Sequence, residues 1–207
     1  LFSTMSEVHA KKTRRAESWE ASFLVLNSDA TKINGEGDSS LDLDSDIGWG
    51  FTLGYNINEH VLVNLEWATG TPDYSATFIG DDSDSNREIN HKLTVYHTQI
   101  NGIYNFSTDQ FTPFVQAGLG WSFVDSNIAS SPPVGGCWYD PWFGYVCNGY
   151  QPTFNDTRFS YNLAAGVRYE LDNSVFFKAS YQQQWIDLSH SEDATFGLIL
   201  LEIGSIF

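Results

Sequence analysis

Long hydrophobic runs are missing from this chain. Its 207 residues hold no stretch of about 18 apolar side chains, so no transmembrane helix is expected. A membrane is not thereby excluded, because a spanning β-strand needs only about 9–11 residues and alternates in polarity. Positive charge is scarce as well: 10 Lys and Arg stand against 26 Asp and Glu, a net charge of −16. Such a surface repels a phosphate backbone, which removes nucleic acid as a partner. Four of the cations, Lys11, Lys12, Arg14 and Arg15, lie together, so the remaining chain is more acidic still. Met occurs once and Leu-rich helical runs are few, whereas aromatics reach 15% and Gly is plentiful. That balance points to an all-β protein. Only two cysteines are present, Cys137 and Cys147, both in one aromatic segment. They read as a single disulfide in an oxidising compartment, worth roughly 2–3 kcal/mol in the chain-entropy account. No His lies between them, so a zinc site there lacks ligands. The chain opens at Leu1 without an apolar leader, and a signal peptide is expected to have been removed or to lie outside this sequence; Val8-His9-Ala10 is similar to the end of a cleavage site.

What is present is alternation. In TPFVQAGLGWSF (112–123) one row reads Val115, Ala117, Leu119, Trp121, Phe123 and the other Gln116, Gly118, Gly120, Ser122. Period two is the signature of a strand, whose successive side chains point to opposite faces. The second row is small and uncharged, suited to a crowded interior, and the first could face lipid. Residues 47–55, 61–67, 159–169 and the end of the chain repeat the pattern. Trp49, Phe51, Leu53 and Tyr55 oppose Gly48, Gly50, Thr52 and Gly54; Trp19, Ala21, Phe23 and Val25 mark an earlier strand.

Eight strands are expected, at 19–27, 47–56, 61–68, 91–106, 112–123, 157–171, 175–188 and 195–207. Short turns (57–59, 107–110, 172–174) alternate with longer connections (28–46, 70–90, 126–156, 189–194), read as loops because they carry turn residues and runs of acid such as Asp38–Asp46 and Asp81–Asp84. Connections sorted by length onto opposite ends, an even strand count and both termini on the short-turn side describe a closed up-and-down barrel spanning a membrane. Residues 1–18 carry no usable period and are basic, and are expected to be a flexible periplasmic extension; residues 19–207 form the barrel.

Several segments carry a family resemblance. TPFVQAGLGWSF (112–123) looks like the Pro-aromatic-Val-x-Ala-Gly strand of the small eight-stranded outer-membrane barrels, the OmpA/OmpX-like and OmpW-like families, and LAAGVRYEL (163–171) resembles their Gly-Val-x-Tyr strand. LGYNINEHVLVNLEWATGTP (53–72) is similar to the second hairpin of the OmpW-like group. EIGSIF (202–207), ending in Phe207, resembles the terminal signal read by the barrel assembly machinery, with Ser205 where the family usually has an aromatic. The resemblance implies an eight-stranded antiparallel transmembrane β-barrel of the bacterial outer membrane, with short periplasmic turns and long extracellular loops. In its OmpW-like form it implies a narrow channel or binding barrel for a small hydrophobic solute. The contrasting expectation is a non-transporting surface protein: an adhesin, a receptor or an envelope-stabilising barrel.

No nucleophile–base–acid set stands out, and an enzyme is not expected. His97 and Glu66 are the nearest to an acid–base pair and read better as interior polar groups. With the aromatic rows facing lipid, Glu20, Glu66, Arg168, Glu170, Lys178 and Glu202 point inward with Gln99, Asn101, Gln116, Gln182 and Gln184. Buried charges must be paired, so Arg168 and Lys178 are expected to bridge the carboxylates, forming either a solid polar plug or a gated pathway. Nearer the loop end the inward row turns apolar: Leu24, Leu26, Leu93, Val95, Ile186, Leu198 and Leu200. These either pack as a core under the loops or receive an apolar ligand. The acidic runs read as solvated surface, since they lack the spacing of a calcium loop, and neither a metal nor another cofactor is expected. Trp138, Tyr139, Trp142, Phe143 and Tyr145 suggest either a protein interface or a cap over the barrel mouth.

Overall fold

The computed structural model describes residues 15–34, 40–79, 86–129, 134–142, 144–150, 153–171, 174–187 and 194–207. Their strands are, in chain order, β1 (Ser18–Ser28), β2 (Thr31–Asn34), β3 (Ser40–Leu43), β4 (Asp46–Asn56), β5 (Val61–Gly70), β6 (Asp73–Ile79), β7 (Asn86–Lys92), β8 (Thr94–Asn105), β9 (Phe111–Ala129), β10 (Val134–Asp140), β11 (Gly144–Tyr150), β12 (Thr153–Leu171), β13 (Val175–Ile186) and β14 (Ala194–Ile206).

Eight of them close into an antiparallel barrel in the order β1-β14-β13-β12-β9-β8-β5-β4. Each pairs with its neighbour in that order, and β1 meets β14 with Phe23 opposite Ile203 and Leu26 opposite Leu200. Trp19 and Phe207 exchange backbone hydrogen bonds of 3.0 and 2.8 Å where the ends of the chain meet. Closure leaves no free edge, the condition for strands in a medium that offers backbone groups no water.

Side-chain parity is the one expected from alternation. Trp49, Phe51, Leu65, Trp67, Leu119, Trp121, Tyr161, Leu163, Phe177 and Tyr181 lie on the outer row, with Leu119 60% exposed. Aromatic rings gather outside at two heights. Near the loop end Trp49, Trp67, Tyr96 and Phe123 form a chain of contacts with centroids 5.5 to 6.3 Å apart across β4, β5, β8 and β9. Near the short-turn end Trp19 meets Tyr55 at 5.1 Å and Tyr104 meets Phe106 at 5.3 Å. Two such girdles bracketing an apolar band are what the two interfaces of a bilayer select.

The structure corrects the sequence reading of the long connections: their described parts are largely strand. β2–β3 and β6–β7 are hairpins that join edge to edge in the order β2-β3-β6-β7, and β10–β11 is a third hairpin. β9 and β12 run past the expected boundaries, to 129 and from 153. The strand expected over 91–106 is divided, with β7 ending at Lys92 and β8 starting at Thr94. The acids that suggested turns are accommodated in the ladder: Lys32 faces Asp42 at 3.5 Å, and Lys92 faces Asp73 at 3.9 Å. Asp81–Asp84, Phe143, residues 172–173 and residues 1–14 lie outside the described residues.

Candidate functional site

The barrel interior divides into three layers. At the short-turn end lies an ionic cluster. Arg168 donates from Nη1 to Glu20 at 2.8 Å and from Nε to Glu170 at 2.7 Å. Lys178 donates to Glu20 at 2.9 Å and reaches Glu202 at 3.5 Å. The Phe176 ring lies between the two cations, its centroid 4.1 Å from the Arg168 guanidinium carbon and 4.9 Å from Lys178 Nζ. A third cation, absent from the sequence reading, completes the set. Arg15 is fully buried, pairs with Glu170, and donates to Thr112 Oγ1 at 2.8 Å and to the backbone carbonyls of Ser107 and Asp109 at 3.2 and 2.9 Å. Only its place in a basic run could have pointed to it, and that run reads more simply as a solvated arm. The cluster thus matches Arg15, Arg168 and Lys178 with Glu20, Glu170 and Glu202.

Above it the interior is a close-packed network of neutral polar groups. Glu66 departs from the expectation that cations bridge it: its hydrogen-bond partner is the Asn101 amide, at 2.8 Å. Glu66 lies opposite Gln99 on β8 and Thr52 on β4, on the border between the ionic cluster and the amide layer, and no hydrogen bond to Arg168 or Lys178 reaches it among the described residues. Asn162 donates to Asn101 at 2.9 Å and to Gln99; Gln116 donates to Gln182 at 3.3 Å; the Ser122 and Ser160 hydroxyls lie 3.1 Å apart. Gly118 makes this packing possible. A Cβ there would stand 1.8 Å from Asn101 Oδ1 and 2.6 Å from Asn162 Nδ2. The layer is a filled plug, as an eight-stranded barrel allows.

The third layer, at the loop end, is apolar. Leu24, Leu26, Ala68, Leu198 and Leu200 form one buried cluster with Phe196 against it, and Leu43 with Tyr74 forms a second that Leu93 and Phe196 join. A cavity of about 170 Å³ opens between them. Of the apolar residues picked out in the sequence, Leu26, Leu93, Val95, Ile186 and Leu198 line it, while Leu24 and Leu200 pack behind the wall. Leu43, Pro72, Val124 and Phe196 complete the apolar lining; Ser28, Asp46, His97 and Gln184 are its polar members. Leu43 was hidden by the acidic run around it. Its alternation with Asp42 becomes informative only once β3 is known to be a strand.

The β10–β11 hairpin sets Cys137 directly opposite Cys147, and no free cysteine occurs among the described residues. Its turn is tied by Trp142 N–H donating to Asp140 Oδ1 at 2.8 Å, and Gly144 takes a φ of 79°, a left-handed conformation that glycine reaches without strain. Tyr139, Trp142 and Tyr145 are 70%, 83% and 78% exposed. Their rings therefore stand in solvent. The cavity is lined instead by Leu43 of β3 and by Pro72 just before β6, and no described residue of β10–β11 lines it. Among the described residues no group of three or more His, Cys, Asp or Glu is placed to hold a metal, and no helix is long and apolar enough to cross a membrane.

A closed eight-stranded barrel with aromatic girdles, a polar interior and unequal ends defines a transmembrane barrel of the bacterial outer membrane. The chain belongs to the family of the outer membrane protein beta-barrel domain, whose model matches residues 1–205. Solved structures of the same fold include OprG from Pseudomonas aeruginosa, with 13% identity, a TM-score of 0.58, and coverage of 94% of this chain and 98% of that one. The N-terminal barrel domain of Pseudomonas aeruginosa OprF shares 18% identity at a TM-score of 0.51, covering 93% and 98%. Ail, the attachment invasion locus protein of Yersinia pestis, in complex with the heparin analogue sucrose octasulfate, shares 15% identity at a TM-score of 0.52, covering 93% and 99%. No curated protein sequence matches the chain. In outer-membrane barrels short turns face the periplasm and long connections face outward, which assigns the short-turn end of this barrel to the periplasm.

Proposed function

We propose that this barrel binds a small, largely apolar solute in a vestibule at its extracellular end. The observation that carries the reading is the inward apolar wall of Leu26, Leu93, Val95, Ile186 and Leu198 around an open cavity, directly above a polar plug. Apolar surface left to water forfeits about 25 cal/mol per Å², so a cavity with this lining favours an apolar occupant. The solute enters from outside, and the packed middle layer stops it there unless that layer rearranges. The test is saturable binding of ethylbenzene to the barrel in lipid nanodiscs, corrected for partition into empty discs. Leu93→Gln with Leu198→Gln is expected to weaken binding by about tenfold or more, with the strand content by circular dichroism unchanged. Wild-type protein that shows no saturable uptake, or a double variant that binds normally, defeats the reading.

A second reading, a surface interaction protein, draws on the solvent-exposed rings of Tyr139, Trp142 and Tyr145; a protein partner would meet them at the tip of the β10–β11 hairpin. The Ail barrel, an attachment protein, has the same fold. In either reading we assign a disulfide to Cys137 and Cys147, on the strength of their opposed register. Recognition of β14 by the assembly machinery and a periplasmic role for Lys11, Lys12 and Arg14 belong to the same proposal.

A further inference from the structure

The floor of the vestibule carries a polar group that the packing leaves available. His97 lines the cavity, and the hydrogen bonds it makes to described residues all fall on one nitrogen: Nδ1 lies 2.8 Å from Gln184 Nε2 and 2.8 Å from Ser122 Oγ. The amides beneath fix which way these bonds run. Gln116 donates to the Gln182 oxygen at 3.3 Å, Gln182 donates to the Gln184 oxygen at 3.5 Å, and Gln184 therefore presents its N–H groups to His97. An amide nitrogen only donates. Nδ1 is thus the acceptor for Gln184, and for the Ser122 hydroxyl when its one proton turns to the ring and not to Ser160; the imidazole proton then sits on Nε2, and the ring is neutral. Nε2–H has no hydrogen-bond partner among the described residues, in a pocket whose other walls are mostly apolar.

Resting on the vestibule reading above, we infer that the ligand is a neutral compound with one apolar ring or short chain and a single hydrogen-bond acceptor, which accepts from His97 Nε2–H. Three observations narrow the class. A cavity of about 170 Å³ is in the range that holds one aromatic ring. The carboxylate of Asp46, held by Thr71 N–H at 2.6 Å, lines the same cavity, while no Lys or Arg among the described residues does, so an anion there meets a like charge without a described cation to pair it. A pure hydrocarbon leaves the histidine donor unanswered when it displaces water, which costs affinity. Aryl ketones, aldehydes and phenols meet all three conditions; carboxylates and plain arenes do not.

Three probes of nearly one shape separate these terms: ethylbenzene, acetophenone and benzoate, titrated against the barrel in nanodiscs with empty discs as the blank. Acetophenone is expected to bind about tenfold more tightly than ethylbenzene, and benzoate more weakly than either. His97→Phe is expected to bring acetophenone down to the level of ethylbenzene while leaving ethylbenzene bound. His97→Gln, which keeps a donor, is expected to retain part of the preference. In wild-type protein carrying ¹⁵N-labelled histidine, acetophenone should shift the His97 Nε2 resonance and ethylbenzene should not, a readout that needs no variant to fold. Equal affinity for acetophenone and ethylbenzene, a preference that survives His97→Phe, or an unmoved Nε2 resonance overturns this inference and leaves the vestibule standing. Failure of all three probes to bind saturably removes the vestibule, and this inference with it.

Discussion

Arg15 shows how much a single side chain can decide at the end of a barrel. It is fully buried among Glu170, Thr112 and two turn carbonyls, and ties the segment before β1 to the turn that joins β8 to β9. Without it the ionic cluster has two cations for three carboxylates. Removing one member of a buried pair costs about 3–5 kcal/mol, because the partner's charge stays behind. Arg15→Ala is therefore expected to lower the unfolding free energy of the refolded barrel by an amount in that range, measured by urea titration in detergent or lipid. Adding Glu170→Gln to Arg15→Ala should restore part of the loss, since the cluster then again matches cations and carboxylates in number, Arg168 and Lys178 against Glu20 and Glu202. If the double variant is no better than the single one, Arg15 acts through packing alone.

At the scale of the element, each strand is a two-sided surface, and its outer side is committed to lipid. Leu163 lies on the outer row of β12, between the inward Asn162 and Ala164, and is largely exposed. Leu163→Arg is expected to destabilise the barrel by about 2–4 kcal/mol if the position lies near the bilayer midplane, whereas Leu163→Ala should cost much less. Equal effects from the two, in the same folding titration, would show that the outer face is not in hydrocarbon. The β10–β11 hairpin obeys a different constraint. It is a two-stranded sheet separate from the barrel, and the disulfide proposed for the opposed Cys137 and Cys147 would reinforce its short ladder. Intact mass before and after reduction and alkylation is expected to reveal one disulfide; free thiols in the native protein would remove that staple from the account.

For the whole molecule, the decisive feature is that the interior is graded by height: ions at the periplasmic end, amides in the middle, hydrocarbon at the top. A barrel of eight strands leaves room for side chains and little else. The middle layer fills it with Gln99, Asn101, Gln116, Asn162 and Gln182 in mutual hydrogen bonds. Wild-type protein in a planar bilayer is accordingly expected to show no steady conductance. Asn101→Ala with Asn162→Ala, which removes two side chains flanking Gly118, should produce discrete openings. Steady current through the wild type would mean that the plug rearranges on its own, and the solute route would then run through the lumen.

The sequence by itself determined the barrel, its strand parity and the apolar-over-polar order of its interior. Each of these follows from a period of two, and a register slip of one residue would have driven Trp49, Phe51 and Leu119 into a space too small for them. It did not determine the structured loops, because Ser40-Leu41-Asp42-Leu43 is too short and too acidic to be told from a turn until β3 is seen paired with β6. Nor could it reveal Arg15 under the barrel or give Glu66 an amide partner, Asn101, in place of a cation. Those depend on how chain segments far apart in sequence come to share one height. The same holds for the candidate site: Leu26, Leu93 and Leu198 were legible as an inward row, but His97 joins them as a donor only because Gln184, from β13, occupies its other nitrogen. Alternation along a strand says which way a side chain points, and the stagger of strands around the closed barrel decides what it meets.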